Sequence, residues 1–123
     1  MATRYLEWYV DNITGDGTFQ GMVHCVDMDY TLTHAKVRIH AKQAPDAGVM
    51  SVDIKDDGVS IFDGSRYPNL QKGRQSEEDW DAFSTTASRI EQFSYVSLDI
   101  LNSAGAKGIS VTLELEEEAA GQS

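Results

Sequence analysis

The sequence predicts an all-β chain: a single antiparallel β-sandwich, jelly-roll-like, of about eight strands. Three observations carry that expectation. Apolar residues recur at every second position in several short runs. The cleanest is ISVTLELE (109–116), where Ile109, Val111, Leu113 and Leu115 alternate with Ser110, Thr112, Glu114 and Glu116. Turn residues separate the runs at short intervals. No stretch carries the three-and-four spacing of a long amphipathic helix. Many short strands with frequent turns pack as two sheets face to face.

The first strand is RYLEWYV (4–10), rich in aromatic and branched residues, and ITGDGT follows as a turn. FQGMVHCV (19–26) is a second apolar run. TLTHAKVRIHAK (31–42) is a long third strand, with Ala35, Val37, Ile39 and Ala41 on one face and His34, Lys36, Arg38 and His40 on the other. QAPDAG (43–48) is a loop around Pro45. In VMSVDIKDDGVSIF (49–62), Met50, Val52 and Ile54 oppose Ser51, Asp53 and Lys55. The triplet Asp56-Asp57-Gly58 then supplies turn chemistry, so the stretch reads as a hairpin. Residues 63–88 lack a period. Within them SEEDWDAF reads as a short helical turn with Ser76 as N-cap and acids in its first turn, from which Trp80 and Phe83 both reach the core. A stretch this long without strand pattern is the expected place for a special contact. SYVSLDIL (94–101) is a strand with Val96, Leu98 and Ile100 inward and Ser97 and Asp99 outward; NSAGAKG (102–108) connects it to the last one. The sandwich is expected over 1–116, with 117–123 as an acidic, flexible tail.

At 123 residues the chain fits one domain that can bury a core without staples. Its one cysteine, Cys25, excludes an internal disulfide and is expected as a small buried hydrophobe in an apolar run. No apolar stretch has the length of a membrane span, and the first residues lack a signal-peptide layout. Both point to synthesis in a reducing cytoplasm with no membrane partner. Twenty acids against ten bases give a formal charge of −10, which repels phosphate backbones and argues against nucleic-acid binding.

The motifs of chemistry fail one by one. DIKDDGVSIFDG fits an EF-hand loop at Asp53, Asp57 and Gly58, but Lys55 stands at a ligand position and Gly64 where the bidentate acid belongs. Asp27 and Asp29, around Met28, form a looser pair of the kind water usually solvates. His34 and His40 lie roughly 20 Å apart along a strand, too far to share a metal. The stripe they form with Lys36 and Arg38 is expected to pair with acids such as Asp53, Asp99 or Glu114. There is no G-x-S-x-G and no P-loop. Neither a catalytic residue nor a cofactor is expected. NIT (12–14) fits a glycosylation acceptor but lacks a secretion signal beside it.

Aromatic residues are the remaining candidates. Leu6, Trp8 and Val10 share one face of the first strand, and Tyr5 and Tyr9 lie on the other. Such a strand is either central in a double layer or covered by another chain. Tyr67, Trp80 and Phe83 raise the same choice in the irregular segment. Tyr5, Trp8, Tyr9, Tyr67, Trp80 and Phe83 are therefore the candidate interface.

A pattern of order is also present. THAKVRIHAKQAPDAGVMSVDIKDDGVSIFDG, a loop, then FSYVSLDILNSAGAKGISVTLELE resembles small β-sandwich modules of tailed-phage virions, found as capsid-decoration, head-fibre, tail or tail-accessory components. The resemblance spans residues 31–116. It rests on the Ala44–Gly48 loop, the Val52–Phe62 hairpin, the Tyr95–Leu101 strand, the Ala104–Gly108 turn and the Ile109–Leu115 strand. RYPNL and the added SEEDWDAF depart from it, and the last turn lacks a proline; head, neck and tail positions stay open. The resemblance implies a non-enzymatic structural protein, made in the host cytoplasm and carried on the virion exterior. Its implied partners are other virion proteins and copies of itself, a homo-oligomer such as a trimer. The alternative is a lectin-like module of a phage tail, with Trp80, Tyr67 and Trp8 stacking on a host-surface glycan or receptor.

Overall fold

The computed structural model describes residues 3–10, 23–64, 66–83 and 89–117. Ten strands run through them: β1 (Thr3–Val10), β2 (His24–Cys25), β3 (Tyr30–Gln43), β4 (Met50–Asp56), β5 (Val59–Ser60), β6 (Asn69–Leu70), β7 (Ser76–Trp80), β8 (Arg89–Ile90), β9 (Tyr95–Asn102) and β10 (Lys107–Glu117). The first sheet has the order β1-β10-β3-β7, with β8 also on β3; the second has β2-β9-β4-β5, with β6 also on β4. Because β5 and β6 share one neighbour and β7 and β8 another, the ten strands fill eight positions. The chain changes sheet at nearly every connection and all pairs are antiparallel, which is the jelly-roll arrangement the sequence predicts.

Period-two patterning places the core. Leu6, Trp8 and Val10 of β1, Val111, Leu113 and Leu115 of β10, and Val96, Leu98 and Ile100 of β9 are all buried between the sheets. On β3 the parity changes once: Tyr30 and Leu32 point inward, then Thr33 and His34 are both exposed, then Ala35, Val37, Ile39 and Ala41 point inward. A register slip against β10 between Glu114 and Glu116 accommodates this bulge. The 49–62 stretch is the expected hairpin. Asp57 and Gly58 both take positive φ, 48° and 86°, as the tight turn that matches strand twist requires.

Two expectations are corrected. SEEDWDAF makes no helical turn; Ser76–Trp80 forms edge strand β7, with Ser76 opposite His40 and Trp80 opposite Val37. An isolated helix of so few residues is marginal in water, whereas the ladder groups of β3 offer it ready partners. Cys25 is exposed rather than buried. On so short a strand one residue decides the face: His24 turns inward onto Trp8, ring centroids 5.0 Å apart, so Cys25 turns out. The N-terminal part of the 19–26 run, the NIT triplet and the tail from 118 lie outside the described residues.

Polar contacts fasten the two sheets at their edges. His24 Nε2 donates to the Glu7 carbonyl at 2.9 Å, joining β2 to β1. At the opposite edge the Trp80 indole N–H donates to the Arg66 carbonyl at 3.1 Å, and Phe62 stacks on Phe83 at 5.5 Å. The Asp27 and Asp29 loop is an anchor: Tyr30 donates to Asp27 at 2.6 Å, while Arg89 and the Gln92 N–H both reach Asp29. The Tyr30 hydrogen bond, first, holds the Asp27 carboxyl below its ordinary range; burial, then the same bond, pushes the Tyr30 phenol up to about 12.

Candidate functional site

The six candidate aromatics separate into three groups. Tyr5 and Tyr9 are half exposed, at 50 % and 48 %, on the outer face of the first sheet. Trp8, between them in sequence, is 3 % exposed and belongs to the core. Tyr67, Trp80 and Phe83 are half-buried against that core and fasten the irregular segment to it. The surface contribution of the set therefore reduces to the two tyrosines of β1.

Those tyrosines flank a polar face. Cross-strand register sets Tyr9 beside Ser110 and His40, Glu7 beside Thr112 and Arg38, and Tyr5 beside Glu114 and Lys36. The small hydroxyl side chains of Ser110 and Thr112 leave a trough of about 540 Å³ along Glu7 and Tyr9. Lys42 Nζ lies 5.6 Å from the centre of the Tyr9 ring. Of the acids expected to pair with the β3 stripe, Glu114 does so, meeting Arg38 at 3.5 Å, whereas Asp53 and Asp99 lie on the other sheet.

The second sheet holds what the sequence did not reveal. Asp53 and Asp99 stand directly opposite each other on β4 and β9, on the outer face, yet each is only 3 % exposed. Two carboxylates face to face repel unless something compensates. Here Lys55 Nζ lies 2.8 Å from Asp99, and Ser60 Oγ donates to Asp53 at 2.6 Å. Burial, first, raises the Asp53 carboxyl above its ordinary range, and the Asp99 charge adds to that; Ser60 and Lys55 pull the other way. The hydrogen bond with Asp99 chiefly raises Lys55, keeping it charged. Chemically the cluster is an occupied ion pair beside a carboxyl whose pKa burial raises. Asp57 is spent as the hairpin cap, its Oδ1 accepting the Tyr95 N–H at 2.8 Å. Asp53 accepts from Ser60 and Lys55 pairs with Asp99, so these two EF-hand positions are engaged within the sheet. Among the described residues there is no group of three side chains with metal-ligand chemistry.

Next to this cluster lies an apolar surface. Val23, Tyr95, Ser97, Asp99, Lys55, Asp57 and Gly58 line a hollow of about 380 Å³. Val23, Val59, Phe93 and Tyr95 around it are exposed at 41 %, 65 %, 69 % and 60 %. Strand alternation could have placed Tyr95 outward; nothing local marks Phe93 or Val59 as its neighbours.

The sequence matches no protein-family model, and no curated protein matches it.

Proposed function

We propose that the chain is a non-enzymatic structural component of a tailed-bacteriophage particle, a capsid-decoration or fibre-type accessory on the exterior, acting through subunit contacts. The observation that carries this reading is the division of apolar side chains. One set fills the space between two packed sheets, and a second set stands exposed on the outside, where contact with another subunit would bury it. The sequence pattern supports it: the Ala44–Gly48 loop and the Ala104–Gly108 turn, both part of the phage resemblance, are tied at one end of the sandwich. There Asp46 and Ala47 N–H groups donate to the Ala104 carbonyl at 2.9 and 3.1 Å. The acidic balance suits a protein kept away from packaged nucleic acid. The test is binding of purified protein to purified phage shells. Saturable attachment at symmetric positions supports the reading, and its absence with competent shells counts against it.

One observation favours a second reading, a glycan- or receptor-binding module. Tyr5 and Tyr9 present aromatic surface beside a trough of hydroxyl and carboxyl groups, the chemistry that stacks on and hydrogen-bonds a sugar ring. The sugar-facing aromatics would then be these two and not Trp8, which is buried. Glycan-array binding lost in Tyr9→Ser and retained in Phe93→Asn would favour this alternative.

A further inference from the structure

Val23, Val59, Phe93 and Tyr95, the more exposed apolar groups around the second sheet save Val49, gather at one end of it; Val49 and Leu101 lie at the other. Tyr95 and Cys25 are cross-strand partners on its outer face. Phe93 is held against the same strand, its N–H donating to the Val26 carbonyl at 2.9 Å. Val59 follows the Asp57-Gly58 turn, whose Asp57 N–H donates to the Tyr95 carbonyl at 2.8 Å. The rim is acidic: Asp57 and Glu91 stand close enough to Asp56 for their charges to act on it. Lys55, the cation of this region, is engaged by Asp99.

Phe93 is unusual in two respects at once. It is 69 % exposed and takes a φ of 71°, in the left-handed region. That conformation strains a bulky side chain, where Asn or Gly would sit with little strain. An aromatic ring held in a strained turn and facing water adds little to the fold by burial.

The complementary surface is on the same molecule. β3 turns His34, Lys36, Arg38, His40 and Lys42 outward, and no Asp or Glu occurs between Tyr30 and Gln43. Tyr5 and Tyr9 stand beside this stripe. Glu114 meets Arg38 and Glu7 faces the same side, so the face is mixed, but in a chain of net charge −10 it is where cations concentrate. Two copies meeting through the Phe93 end about a two-fold axis would set Asp57 and Glu91 against their own counterparts. Meeting the β3 face instead sets those acids against lysine and arginine, and aromatic rings against aromatic rings.

We propose that copies of the chain associate head to tail, the Phe93–Tyr95 end of one seating on the outer face of the first sheet of the next, against Tyr5, Tyr9, Lys36 and Arg38. The proposal rests on the reading of the protein as a contact-making structural component and names the two surfaces involved. A contact of this kind closes to a ring or continues as a stack.

Sedimentation of the full chain at about 0.1 mM, where a Kd of tens of micromolar is visible, tests it. The wild type is expected above monomer mass, with association weakened by salt. Phe93→Asn is expected to be monomeric with an unchanged or higher Tm, because Asn suits the turn. The double variant Lys36→Glu/Arg38→Glu is expected to be monomeric as well. Mixing the two variants is expected to yield a complex of two chains and nothing larger, since each supplies one intact surface. A monomeric wild type, a Phe93→Asn protein of unchanged mass, a charge variant that still associates, or a mixture that stays monomeric overturns the proposal. Shell binding by a monomeric wild type would overturn this contact alone; self-association without shell binding would overturn the virion reading alone.

Discussion

Replacing Trp8 by alanine separates a core residue from a docking residue. Trp8 lies opposite Val111 on β10 and packs edge-on against His24, at 3 % exposure. A buried tryptophan removes about 200 Å² from water, worth about 5 kcal/mol at about 25 cal/mol per Å². β1 is an edge strand, so its surroundings can partly collapse into the space, and about 3–4 kcal/mol is the expected loss. For 123 residues the unfolding entropy near 60 °C is roughly 0.26 kcal/mol per kelvin, so Tm should fall by about 13 K. Thermal unfolding followed by circular dichroism, with a urea titration as a check, reads this directly. Tyr9→Ser, one residue along and half exposed, should move Tm by no more than about 3 K. A Trp8→Ala protein that melts within about 3 K of the wild type, or a Tyr9→Ser protein that loses as much, would refute the placement of the two faces.

The Asp53 carboxyl has a raised folded-state pKa, chiefly from burial, so the native state binds its proton more tightly than the unfolded chain does. Stability should therefore decline as pH rises from about 3.8 through the raised value and stay lower above it. Urea melts across that range should show a smaller decline in Asp53→Asn, the remainder coming from Asp56, which burial shifts the same way. An identical pH profile in the variant would contradict this. Lys55→Met leaves the Asp99 carboxyl, 4 % exposed, without its cation and should destabilise by about 1–3 kcal/mol. Arg38→Met, at an exposed pair, should cost about 1 kcal/mol or less; equal losses would show that burial does not set the difference. Asp57→Ala keeps the positive φ but removes the carboxylate that eases that conformation and accepts the Tyr95 N–H, for a loss of about 1–2 kcal/mol. Added calcium should shift the wild-type Tm by nothing measurable, and a large shift would reinstate the hairpin as a cation site.

Much of the fold was legible because its grammar is local. Val111, Leu113 and Leu115 announce a strand at every second position, and Asp57-Gly58 announces its turn by the φ values it tolerates. What escaped was non-local. Ser76–Trp80 carries the local signs of a helix start, and only the free edge of β3, far away in sequence, makes it a strand. Cys25 faces out because Trp8 holds His24 in. The outward direction of Asp53 and Asp99 followed from alternation; their burial follows from cross-strand neighbours that no single strand displays. The candidate site divided in the same way. Tyr5 and Tyr9 were readable as the outer face of β1, whereas Phe93 becomes visible only when its φ and its neighbours are known.

The central claim is that this molecule contributes surface to a larger particle. Antibody labelling of virus particles purified from the source lysate, viewed by electron microscopy, tests it most directly. Label at regular positions on the particle exterior is the expected result. Particles free of label, with the protein recovered only in the soluble fraction, would contradict it.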